Sequence, residues 1–125
     1  MVKILVVDDD IHATTLFETI LTAKGYETII VNDSAIAINI ANTSRPDLII
    51  LDLMMPEPNG FEVCRMLRSN KRFSQIPIVI FTAMGDNESR KTAFEIGADE
   101  FLTKPFRVED LMQRIRELTS GAKQP

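Results

Sequence analysis

The sequence predicts an α/β doubly wound sheet of five parallel strands with helices on both faces. Short, nearly continuous apolar runs alternate with longer stretches of helical periodicity. The runs are rich in Ile, Leu and Val, as strands buried on both faces of a parallel sheet require. Regular strand–helix alternation makes each connection a crossover between parallel strands.

The strands are KILVV (3–7), ETIIV (27–31), DLIIL (47–51), IPIVIF (76–81) and EFLT (100–103). After the first, Ala13, Leu16, Phe17, Ile20 and Leu21 recur at helical spacing, and Gly25 is placed to end that helix. Ile36, Ile40 and neighbouring alanines mark a second helix, capped by Asp33 or Ser34. Gly60, Val63, Cys64 and Leu67 mark a third. A fourth, over 86–96, is weakly amphipathic and stops before Gly97. Val108, Leu111, Met112, Ile115 and Leu118 give a strong fifth. One domain is expected over 1–120, with 121–125 as a polar tail or the start of a linker.

A chain of 125 residues can bury a real hydrophobic core in one domain. The net charge of −4 argues against direct nucleic-acid binding by this domain, which would need a basic face. Cys64 has no partner cysteine, so it reads as core filler in a reducing compartment. No stretch approaches the ~18 apolar residues of a membrane span, and the opening MVKILVV is too short for a signal-peptide core. A cytoplasmic location is expected.

Chemistry concentrates just past the strands, where open α/β sheets bind ligands. The first strand ends in Asp8, Asp9 and Asp10; the third in Asp52; the fourth in Thr82 and Ala83; the fifth in Lys104 and Pro105. The second strand's loop, with Asn32 and Asp33, carries no comparable cluster. Carboxylates ~4 Å apart repel by about 4 kcal/mol per pair at an effective dielectric near 20. Stacking three therefore implies a cation, although one of them is free to be a helix cap. The set suits phosphoryl transfer to a carboxylate. Aspartate is ionised at neutral pH and attacks without a general base. Mg²⁺ on Asp9 and Asp52, with Asp8 holding a bound water, would offset repulsion of the incoming group. Lys104, Thr82 and a nearby backbone N–H are placed to take the other phosphoryl oxygens. His12, the only histidine, reads as an exposed helix residue with no chemistry.

In this order, VVDD (6–9), D-x-x-M-P (52–56) followed by Gly60, F-T-A (81–83) and T-K-P-F (103–106) resemble the motifs of a response regulator receiver domain. The resemblance runs from about Lys3 to Leu118 and covers nearly the whole chain. It implies a flavodoxin-like sheet of order 2-1-3-4-5. It makes Asp52 the phosphoacceptor, Asp8 and Asp9 the acid pair, and the Met54 carbonyl a further Mg²⁺ ligand. Thr82 becomes the switch threonine and, with Ala83 and Lys104, the phosphate-binding set. It also implies a cis peptide at Lys104–Pro105. Position 101 is Phe where many relatives have Tyr, so the switch ring lacks a hydroxyl.

The implied function is a signalling switch rather than a metabolic enzyme. It would be charged by a sensor histidine kinase or phosphotransfer protein and would act on an effector domain or protein. Dimerisation through the fourth helix, fifth strand and fifth helix is open. Met54 and Met84, each two residues past a site residue, are expected to shield the phosphoryl group from water and slow its loss. A phosphohydrolase of the haloacid dehalogenase-like type wants a second Asp at position 54, where this chain has Met. A flavin-binding domain wants a Ser/Thr/Gly-rich loop where this chain has aspartates.

Overall fold

The computed structural model describes residues 1–122. β1 (Lys3–Val7), β2 (Glu27–Val31), β3 (Leu48–Leu51), β4 (Ile78–Thr82) and β5 (Glu100–Thr103) form one parallel sheet in the order β2-β1-β3-β4-β5. The intervening helices are α1 (Ile11–Ala23), α2 (Ala37–Ser44), α3 (Gly60–Ser69), α4 (Asn87–Ile96) and α5 (Val108–Ala122).

Side chains alternate across a strand, so the sheet divides its apolar residues between two cores. Ile4, Val6, Ile50, Val79 and Phe81 meet Phe17 and Leu21 of α1 and Leu111, Met112 and Ile115 of α5. Leu5, Val7, Ile49, Leu51, Ile78 and Ile80 meet Ala37 and Ala41 of α2, Val63, Cys64 and Leu67 of α3, and Ala93 of α4. The central strands β3 and β4 are buried at every position, whereas the edge strand β2 is buried only at Val31. Cys64 is 1% exposed, and burial pushes its thiol above the ordinary cysteine value, as befits core filler.

Local chemistry moves several boundaries from those the sequence suggests. Asp33 caps a 3₁₀ turn, Ser34–Ile36, by accepting the Ala35 N–H, and α2 starts only at Ala37 without a side-chain cap. β4 begins at Ile78 because Pro77 has no N–H to give the ladder, and it extends through Thr82. α5 continues to Ala122, so the polar stretch from Thr119 opens as helix: Thr119 is buried, and its hydroxyl donates to the Ile115 carbonyl at 2.7 Å. Helix therefore runs past the boundary expected at 120, and residues 123–125 of the expected tail lie outside the described residues.

Candidate functional site

Strand register brings the site together. Val7 and Leu51 are partners at the ends of β1 and β3, and the Asp52 N–H donates to the Val7 carbonyl at 3.0 Å. The next residue of each strand is therefore an aspartate, side by side with its neighbour. Thr82 and Thr103 are partners at the ends of β4 and β5, and the Lys104 N–H donates to the Thr82 carbonyl at 2.9 Å. Its side chain reaches across to the acids: Nζ lies 3.0 Å from Oδ2 of Asp8 and 3.5 Å from Oδ2 of Asp52. The peptide before Pro105 is cis, as the resemblance implies, and so is Glu57–Pro58 in the loop beyond Asp52.

Asp8 and Asp52 are 2% and 6% exposed, while Asp9 faces solvent. Oxygens of Asp8, Asp9 and Asp52 lie within 4.8 Å of one another. Burial raises the Asp8 carboxyl above the ordinary aspartate value; the Asp10 amide and Lys104 pull against it, and the Asp52 charge adds to the rise. Burial depresses the Lys104 ammonium, but the Asp8 hydrogen bond and the Asp52 charge outweigh it and hold the group above the usual lysine value. Asp8 and Asp52 thus share one ammonium, and Asp9 adds a third carboxylate beside them. An all-oxygen donor set with surplus negative charge and an open side at Asp9 fits a hard divalent cation that keeps several waters.

Asp10 does not belong to that set. It is the N-cap of α1, and its carboxylate accepts the His12 N–H at 2.9 Å. The run of three is therefore two site acids and one cap. His12 itself is exposed. Gly60 opens α3 against the end of β3, where a Cβ would run into the Asp52 carbonyl oxygen and the Leu53 backbone. Asn59 and Glu62 close the start of α3 with a reciprocal capping box.

The other site residues fall around this centre. Thr82 is fully buried, and its Oγ1 accepts the Met84 N–H at 3.2 Å. Ala83 is exposed beside it. The Met54 N–H donates to Oδ1 of Asp52 at 3.2 Å, while its side chain is 54% exposed. Met84 packs against the α2–α3–α4 core. Phe101 is turned inward, 3% exposed, with the Arg90 guanidinium 5.5 Å from its ring centroid. Arg90 also lies 5.6 Å from the Phe94 ring, so α4 sets a cation beside both Phe94 and Phe101.

The family model for the response regulator receiver domain matches residues 4–116. The chain belongs to that family. This receiver domain is 42% identical over 123 residues to the probable transcriptional regulator ycf27 of Cyanophora paradoxa, covering 98% of the chain and 50% of that relative. It is 40% identical to the DNA-binding response regulator MtrA of Mycobacterium tuberculosis, covering 91% of the chain and 49% of MtrA. The chain spans about half the length of these relatives. Among solved structures, the signal receiver domain of a histidine kinase from Syntrophus aciditrophicus superposes with a TM-score of 0.92 at 34% identity, covering 100% of this chain and 95% of that one. The chemotaxis protein CheY4 of Vibrio cholerae gives 0.89 at 31%, covering 94% and 98%. The receiver domain is the signalling switch of two-component response regulators, a family that typically binds Mg²⁺. Among the described residues no helix is long and apolar enough to cross a membrane.

Sequence reasoning missed the loop after β2. The Asn32 side-chain amide donates to the Asp8 carbonyl at 2.9 Å and to Thr14 Oγ1 at 3.0 Å. It also missed the Arg90 contact with Phe101. Both depend on side-chain placement across elements, which spacing along the chain does not encode.

Proposed function

We propose that this receiver domain takes a phosphoryl group from a sensor histidine kinase or phosphotransfer protein onto Asp52. The observation that carries this is the buried Asp52 carboxylate between a lysine ammonium and an acid pair at the strand ends. An Asp52 oxygen attacks phosphorus, the bond to the donor breaks, and an acyl phosphate forms. Asp8, Asp9, Asp52 and the Met54 carbonyl would hold Mg²⁺, whose bound charge offsets the repulsion between carboxylate and phosphoryl group. Lys104, Thr82 and the Ala83 N–H take the transferred oxygens. Lys104 already lies beside the two buried acids, so it needs little rearrangement to follow the new charge.

Thr82 and Phe101 lie on β4 and β5, so their movement passes to α4, β5 and α5, the face proposed for the effector and for a homodimer. The chain acts in the cytoplasm, and in the protein that carries it the domain over 1–120 controls an output such as the DNA binding of MtrA-like relatives. Incubation with acetyl phosphate and Mg²⁺ should add one phosphoryl mass to the wild type and none to Asp52→Asn, read by intact-mass spectrometry. Equal labelling of both overturns the assignment.

A further inference from the structure

We propose that the loop after β2, which offers no carboxylate to the site, is the brace that sets the spacing between the two acid-bearing loops. The proposal rests on the reading of Asp8, Asp9 and Asp52 as a Mg²⁺ site. Two side chains of this loop reach the two acid-bearing loops, which follow β1 and β3 on the same side of the edge strand β2. The Asn32 amide holds the β1–α1 loop through the Asp8 carbonyl and the hydroxyl of Thr14, a residue only 2% exposed. That hydroxyl is itself fixed, donating to the Ile11 carbonyl at 3.1 Å. Two residues on, the buried Ser34 hydroxyl donates to the Pro56 carbonyl at 3.2 Å, in the loop that follows Asp52 and Met54.

The brace is anchored at its own base. The Asp8 N–H donates to the Val31 carbonyl at 3.0 Å. Asp33 closes the turn between the two arms, accepting from the Ala35 N–H through its side chain and from the Ile36 N–H through its carbonyl. Two loops carrying three carboxylates tend to spread, because the Lys104 ammonium pairs with only two of them. Main-chain carbonyls clamped on both sides hold the carboxylates at a separation a small cation can bridge before it arrives. Asn32 and Ser34 are thus positioning residues: neither lies in the acid cluster, and each acts through the backbone that carries it. Outer-shell partners of this kind typically cost 10–100-fold in metal affinity when removed.

The test uses the full chain carrying Asn32→Ala with Ser34→Ala, and each single variant in case the double variant fails to fold. Calorimetric titration with MgCl₂ should show binding about tenfold weaker in each single variant and weaker still in the double one. Ser34→Thr, which keeps the hydroxyl, should bind as the wild type does. In the metal-free protein, amide exchange at Asp10 and Met54 should quicken, because both amides donate to the site carboxylates. Arg68→Ala, at the far end of the sheet, controls for a general loss of stability: it should leave Mg²⁺ affinity within roughly twofold of wild type and quicken exchange across the fold rather than at Asp10 and Met54 in particular. Mg²⁺ affinity in the double and single variants equal to the wild type overturns the brace. A wild type that binds no better than Asp9→Asn overturns the metal reading instead, a separate outcome of the same titration.

Discussion

Charge gathers at both ends of the sheet, and the two clusters are built on opposite principles. At the carboxyl ends of the strands, three carboxylates cluster and one ammonium pairs with two of them. At the amino ends, a single guanidinium has four of its five N–H donors engaged by the protein. Arg68 Nε donates to the Gly97 carbonyl at 2.9 Å, Nη1 to the carbonyls of Phe73 and Ile76 at 2.9 and 2.7 Å, and Nη2 to Asp99 at 2.8 Å. Asp99 also accepts the Ile78 N–H at 2.8 Å. One side chain therefore ties α3, the approach to β4 and the α4–β5 turn. A cluster whose charges balance, one guanidinium against one carboxylate, is complete in the protein itself and serves the fold. One with surplus charge waits for something from solution. That difference separates scaffold from site without reference to any relative.

The separation is broken most strongly by Arg68→Ala. It removes four charge-assisted hydrogen bonds and leaves carbonyls to find water, at a cost of about 3 kcal/mol. Urea denaturation in the presence of a chelator measures this. Mg²⁺ affinity should stay within roughly twofold of wild type, as for distant independent sites. A parallel loss of affinity would show that the two ends are coupled.

Lys104→Ala attacks the other end and should have a mixed effect. It strips the acids of the cation they share, destabilising the metal-free protein by about 2 kcal/mol. The figure lies below that for a fully buried pair because the lysine side chain is 27% exposed. The same change removes a competitor for the Asp8 carboxylate, so Mg²⁺ affinity should rise roughly threefold. The conformational response to beryllofluoride, followed by amide exchange over α4 and β5, should be lost. A fall in metal affinity contradicts the role given to the lysine.

Asp9→Asn sharpens the contrast from the side of the surplus. Relieving one repulsion at an exposed position should stabilise the metal-free protein by about 1 kcal/mol, while Mg²⁺ affinity falls by about tenfold or more. Thermal unfolding with and without MgCl₂ reads both. A residue whose removal stabilises the fold and disables the site is present for function, and a loss of metal-free stability would refute that for Asp9.

How much of this is legible in the sequence follows the same division. The acid site is readable because its members sit immediately after apolar strands, and a parallel sheet brings all strand ends to one edge. Asp8, Asp9, Asp52, Thr82 and Lys104 needed only the strand positions to be assembled. The Arg68 cluster is invisible by the same means: three of its partners are main-chain carbonyls, which every residue has, and Asp99 alone has a telling side chain. Ser34 escapes notice for that reason too, and Asn32 largely so, since it ends on the Asp8 carbonyl and one hydroxyl. Asp10 is ambiguous in the sequence because a capping carboxylate and a site carboxylate look alike in a run of three, and its place in the fold makes it the cap. Boundaries failed where one residue's backbone decides, as Pro77 does at the start of β4.

The smallest expected effect concerns how long the surplus end stays charged. The two methionines singled out for shielding the phosphoryl group are placed differently: Met84 packs partly buried against the core, while Met54 lies 54% exposed two residues past Asp52. Shielding then falls mainly to Met54, whose N–H is already engaged with Asp52. A thioether excludes water by bulk and offers it no useful hydrogen bond, whereas an amide at this position can orient a water for in-line attack. Met54→Asn should therefore lose its phosphoryl group faster, by roughly threefold, with stability and Mg²⁺ affinity unchanged because an exposed side chain is exchanged. The decay is followed by intact mass after the donor is removed. Met84→Asn should instead cost stability, since it puts an amide against the core. Equal decay of Met54→Asn and wild type would remove Met54 from the control of lifetime and leave the rate to the buried carboxylates and Lys104.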